Sequence, residues 1–155
     1  MKKAAILLLC LSFVSCGPKV VRESKKVIKG DWKLSDISYS QSGNFNVMLL
    51  NDASKDCFQG STWKFIPNNN TGTYSINSSD CPTGDRYFIF TIQEIDAQTG
   101  LYDFLLKPTN AKGKSETNKG FRLKLSALSD SAMQWQQTII LEGDPFTISM
   151  NFTKS

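Results

Sequence analysis

The 155-residue chain contains no histidine, which excludes a histidine general base and a histidine-held metal. Cysteine is scarce as well. The four (Cys10, Cys16, Cys57 and Cys81) lack the close paired spacing that zinc thiolate sites use, so neither a metal nor a cofactor is expected. Asp80, Asp85 and Asp103 supply carboxylates without a spacing that pairs them, and Ser78, Ser79 and Ser129 have no base the sequence identifies. The chain is therefore read as a non-enzyme. Excess charge of one sign is missing from most of it: residues 30–155 hold 11 basic and 13 acidic side chains, which excludes a nucleic-acid platform. An apolar run long enough to cross a bilayer is also absent.

The longest apolar stretch lies at the start. Lys2 and Lys3 precede Ala4-Ala5-Ile6-Leu7-Leu8-Leu9, and Phe13-Val14-Ser15 ends on a small residue before Cys16. This charged, apolar, small-residue order is that of a secretory signal. Cleavage before Cys16 resembles the processing of bacterial lipoproteins, whose new N-terminal cysteine carries acyl chains such as palmitate. Cys10 follows bulky Leu9 and suits lipidation less well. Residues 1–15 are thus expected to be a signal peptide, and 16–29 a lipidated N-terminus and tether. That tether carries Lys19, Arg22, Lys25, Lys26 and Lys29, either facing a membrane surface or simply solvated. Residues 30–155 form one domain. With Cys10 removed and Cys16 acylated, Cys57 and Cys81 remain, and in an oxidising compartment they most simply form a disulfide.

From Gly30 onward, aromatic and β-branched residues are broken by turn clusters about every ten positions, the rhythm of an all-β barrel or sandwich. In the last segment Phe146, Ile148, Met150 and Phe152 alternate with Thr147, Ser149, Asn151 and Thr153. Phe121, Leu123 and Leu125 alternate with Arg122, Lys124 and Ser126. Eight strands are expected, at about 31–39, 61–67, 72–77, 85–94, 101–108, 120–129, 132–141 and 145–153. Trp32 and Leu34 share a face that Ile37 and Tyr39 do not, so a bulge is placed near Ser35-Asp36. Tyr87 to Ile92 is apolar on both faces and reads as a strand covered on each side. Phe45, Met48, Leu49 and Phe58 have helix-like separations. A short helix, capped by Asp52 or Ser54 and stapled by Cys57 to the loop at Cys81, is placed in this first connection. The polar run 112–119 is expected to be exposed.

Gly30-Asp31-Trp32 resembles the Gly-x-Trp that opens lipocalins, with Gly30 freeing the turn and Trp32 closing the barrel end. Residues 51–65, with Cys57 and Gly60-Ser61-Thr62-Trp63, then Asn68-Asn69-Asn70 and Gly72-Thr73-Tyr74, resemble the lipocalin-like lipoproteins of Bacteroidetes. The resemblance spans nearly all of residues 29–154 and implies an eight-stranded antiparallel up-and-down β-barrel in the cell envelope. Surface-exported lipoproteins of the Bacteroides group carry an acidic run after the cysteine. None is present here, which points to an outer-membrane anchor facing the periplasm. Lipocalins also place an arginine after the last strand, over the opening tryptophan. The tail here is Asn151-Phe152-Thr153-Lys154-Ser155, which leaves Arg86 and Arg122 as candidates for that role or for pairing with an acidic ligand.

The interior of an eight-stranded barrel is either filled by side chains or holds one small ligand. Trp63, Phe65, Tyr74, Phe88, Phe90, Tyr102, Phe104, Phe121, Leu123 and Trp135 are the expected inward residues. They form either the lining of a site for a small hydrophobic ligand or a solid core. Tyr74 and Tyr102 offer hydroxyls to such a ligand or to solvent at a rim, and Gln134, Gln136 and Gln137 read as a solvated face. Two functions follow: a membrane-tethered carrier of a hydrophobic molecule, or a protein-interaction or inhibitor module with a filled core.

Overall fold

Alternation with a period of two is what closes this chain on itself. A computed structural model describes residues 17–96 and 98–155, with side chains from residue 22 onward except that of Glu94. The expected signal peptide, Cys10 and the lipidation site Cys16 lie outside the described residues. The described residues open with helix α1 (Gly17–Ile28) and strand β1 (Gly30–Tyr39). The first connection follows, containing β2 (Met48–Leu49), β3 (Ala53–Ser54) and α2 (Lys55–Phe58). Seven more strands come next: β4 (Thr62–Ile66), β5 (Thr71–Ile76), β6 (Gly84–Ile95), β7 (Tyr102–Thr109), β8 (Phe121–Leu128), β9 (Ala132–Leu141) and β10 (Asp144–Lys154).

Eight strands form a closed barrel in the order β1-β10-β9-β8-β7-β6-β5-β4, every neighbour antiparallel, with β1 bonded to both β10 and β4. All eight match an expected segment to within a residue or two. In β4, β5 and β10 alternate residues are buried, because each strand turns one face to the bore and the other to solvent. The bulge appears where the face switch in β1 required it: pairing with β10 shifts between Leu34 and Asp36. In β6, Phe88 and Phe90 are buried, while Tyr87 and Ile89 are half-covered on the outer face.

Two segments depart from the sequence reading. Residues Gly17–Ile28, expected as a tether, form a helix lying across the barrel end where β1 begins. Buried Ile28 faces the barrel there, and its carbonyl accepts a hydrogen bond of 2.9 Å from Trp32 Nε1. In the first connection the helix is only four residues long. Met48 and Leu49 belong instead to a two-residue hairpin with Ala53 and Ser54. Ser54 occupies the N-cap position of α2 without a side-chain bond to it, and Asp52 points elsewhere. Leu49, Leu50, Ala53 and Phe58 are all buried, so this connection folds over the barrel end opposite α1. Its anchor is the disulfide Cys57–Cys81, with Cα atoms 5.7 Å apart.

Candidate functional site

Nine of the ten expected inward residues are buried to within a few per cent: Trp63, Phe65, Tyr74, Phe88, Phe90, Tyr102, Phe104, Leu123 and Trp135. Phe121, at the start of β8, is half-buried against the same cluster. They do not stand apart around a hollow. Trp135 of β9 is in ring contact with Phe104 of β7 (5.0 Å between centroids), Trp63 and Phe65 of β4 (5.3 and 5.4 Å) and Phe152 of β10 (4.6 Å). Trp63 in turn stacks on Tyr74 at 4.4 Å. Because β4 and β9 are separated by two intervening strands, these rings meet across the bore. Gly72 makes the crowding possible: a Cβ there would lie 2.3 Å from the Phe88 ring and 2.6 Å from the Lys64 carbonyl. The indole N–H of Trp135 has no hydrogen-bond acceptor among the described residues, and it sits among ring edges and faces. Trp63 is better served, donating to Ser61 Oγ at 2.8 Å.

The end nearest α1 is sealed by Trp32, which is fully buried. Gly30, at φ +113°, makes the sharp change of direction from helix to strand that other residues rarely adopt. Lys154 Nζ lies 5.0 Å from the centre of the Trp32 ring and donates to the Val27 carbonyl at 2.7 Å. The cation over the opening tryptophan is therefore Lys154. Arg86 and Arg122 do not take that role. Arg122 bonds Asp103 across β7 and β8 at 3.0 Å, and Arg86 lies at the opposite end.

At that opposite end, Arg86 Nε and the Tyr74 hydroxyl both donate to Asp52 Oδ2, at 2.8 and 2.9 Å. Arg86 also donates to the carbonyls of Pro82 and Gly84. This cluster ties the first connection to β5 and β6 beside the disulfide. Phe58 lies 5.4 Å from Tyr74 and 6.2 Å from Trp63, closing the bore. Phe58, Phe152 and Lys154 were not among the expected inward or barrel-closing residues, and Asp52 was read only as a possible helix cap. Phe152 lies on the alternating face of β10, but no local pattern places Asp52 or Phe58 at the barrel end. Of the three glutamines, Gln134 and Gln136 hydrogen-bond across the outer wall to Asn151 and Ser149. Gln137 is paired with Ile148, an inward position.

Burial pushes the Tyr74 phenol far above its ordinary value, and the adjacent Asp52 charge adds to the effect. Tyr102, buried beneath α1 beside the Ser24 hydroxyl, is raised by burial. Tyr39 is raised by burial and then by Asp56. A phenol whose pKa is raised on folding favours the folded state fully below the unfolded value near 10, and that stability is lost as pH climbs beyond it. The urea midpoint is therefore expected to hold up to about pH 10 and to fall steeply above it. Phenolate absorbance from Tyr74 and Tyr102 should appear only together with unfolding. Complete tyrosine ionisation with the fold intact would contradict this.

Clefts of several hundred Å3 open on the outside. One of about 510 Å3 lies beside the β6–β7 turn, lined by Asp96, Leu101 and Lys124. Another of about 490 Å3 lies under the first connection, near Tyr39, Phe45 and Lys55.

No protein-family model matches the chain, and no curated protein does. Among solved structures, a lipocalin-like protein from Bacteroides uniformis matches with a TM-score of 0.50 at 12% identity, over 83% of this chain and 99% of that one. Bovine odorant-binding protein, in complex with a selenium-containing odorant, matches with a TM-score of 0.45 at 10% identity, over 84% of this chain and 72% of that one. At such identities the Bacteroides likeness concerns architecture: the fold is a lipocalin-like, eight-stranded antiparallel barrel.

Proposed function

We propose that this lipocalin-like barrel is a non-catalytic binding protein, held in the cell envelope by lipid on Cys16, that meets protein partners with the outside of a filled barrel. The observation that carries this reading is the contact of Trp135 with Trp63 and Phe65 across the bore, with Phe104 and Phe152 packed against the same indole. Ligand sites in proteins are concave and largely pre-formed, whereas here the aromatic lining is its own filling. The anchor is supported by the leader Lys2-Lys3, its apolar run and Ser15 before Cys16, and by a disulfide that suits an oxidising compartment. The lack of an acidic run after Cys16 supports an outer-membrane position facing the periplasm. The half-buried Asp52 and Arg86 and the buried Tyr74 satisfy one another, which supports a structural rather than a catalytic role for them.

A second reading is supported by the unpaired Trp135 indole N–H: a small hydrophobic ligand with one acceptor atom, admitted to the bore if Phe58 and its neighbours swing aside. One experiment separates the two. The protein is recovered from its native envelope and examined by native mass spectrometry, with and without covalent cross-linking. The expected result is a barrel free of small molecules, cross-linked to another polypeptide. A bound small molecule that disappears when Phe90 and Phe121 are enlarged to tryptophan would favour the carrier. In the same cells Cys16→Ser should release the protein from the membrane fraction, and retention would remove the anchor.

A further inference from the structure

We infer that the α1 end of the barrel rests on an anionic lipid surface through the basic residues Arg22, Lys26 and Lys29, so that the disulfide-bonded end points away from the membrane. The inference builds on the lipid proposed for Cys16. Gly17, the residue after that cysteine, already belongs to helix α1, so an anchor on Cys16 would sit one residue from the helix. The helix is also fixed to the barrel rather than hinged from it. Lys25 Nζ donates to Asn70 Oδ1 at 2.8 Å, the Ile28 carbonyl accepts from Trp32, and the Val27 carbonyl accepts from Lys154. The anchor therefore fixes which end of the molecule faces the bilayer.

That end carries the matching charge. Ser24 and Ile28 turn towards the barrel, while the side chains of Arg22 and Lys26 are 70% and 66% exposed, and Lys29 is exposed as well. Their spacing of four and three places them on one face of the helix and its continuation. Residues 17–29 hold five basic side chains and one acidic, Glu23, which pairs with Lys26 at 2.9 Å. Asp31, Asp96 and Asp130 belong to the same end, so the attraction is local to α1 and weakens with salt. Anionic phosphate headgroups are the partner that an anchored, fixed cationic helix meets first.

The test uses the chain from Cys16 onward with its disulfide formed, which makes Cys16 the single free thiol. That thiol is coupled to a maleimide lipid in vesicles of phosphatidylcholine with or without phosphatidylglycerol, and lysine acetylation is followed by mass spectrometry. On phosphatidylglycerol, Lys26 and Lys29 are expected to react several-fold more slowly than on phosphatidylcholine alone. Lys112, Lys114 and Lys119, at the far end, should react equally on both. In a second arm Cys16 is capped and untethered chain is sedimented with phosphatidylglycerol vesicles. Replacing Arg22, Lys26 and Lys29 together by glutamine is expected to weaken binding at low salt roughly a hundredfold, about fivefold per charge. Lys25 is left in place because it holds the helix to Asn70. Equal acetylation on both lipids, protection of the 112–119 end, or unchanged sedimentation would overturn the inference. Neither arm depends on acylation in cells, so a failure of the Cys16 anchor would be seen separately by fractionation.

Discussion

Trp135→Ala is expected to remove about 3–5 kcal/mol of folding free energy, measured as a shift in the urea midpoint by circular dichroism. Trp135 is fully buried and touches rings from three other strands, so truncation leaves a cavity that no one strand can collapse to fill. Single domains are stable by about 5–15 kcal/mol, so this variant sits near the edge of folding. Trp135→Phe keeps a ring and discards an N–H that has no acceptor, and should cost less than half as much. An outward control, Ile140→Ser, should shift stability by no more than about 0.5 kcal/mol, since Ile140 is 69% exposed. A loss of only about 1 kcal/mol for Trp135→Ala would mean that the bore is loosely filled. The carrier reading would then gain ground.

Removing the disulfide should have the next largest effect. Cys57→Ser with Cys81→Ser opens a loop whose ends are separated by 24 positions. The chain-entropy treatment assigns such a loop roughly 3–4 kcal/mol. The bond also holds α2, whose buried Phe58 covers Trp63 and Tyr74. The double variant should therefore lose near-ultraviolet aromatic dichroism from that end while the far-ultraviolet β signal persists. Reductant should lower the melting temperature of the wild type to that of the variant and leave the variant unchanged. If the two proteins melt together without reductant, the Asp52, Arg86 and Tyr74 cluster is holding the connection unaided.

The barrel could be read from the sequence because its signal is local. In β10 and β8 each second residue is apolar, and a strand with one wet face and one dry face can hardly be written otherwise. Even the bulge after Leu34 showed itself as a change of phase. The first connection was harder, since Phe45, Met48 and Leu49 mimic helical spacing, whereas Met48 and Leu49 belong to a hairpin whose two-residue strands are too short to show a period. Helix α1 was hidden for a different reason. Five charges outweigh its apolar positions, and Ile28 becomes a core residue only when a barrel end lies beneath it. Whether the bore is hollow or filled was beyond local reading, because Trp135 and Trp63 are 72 positions apart in the chain and meet only once the strands between them have folded. The cation over Trp32 was overlooked because it is a lysine at the tail where an arginine was the familiar sign.

Both termini of the domain are gathered at one place. Ser155 N donates to the Asp31 carbonyl, Lys154 clasps the helix, and β1 lies between β10 and β4. A pull applied through the N-terminus is therefore resisted by two ladders of backbone bonds loaded along their length, which must slide together rather than unzip one by one. Such an arrangement gives the domain mechanical toughness in the direction from which a tether would drag it.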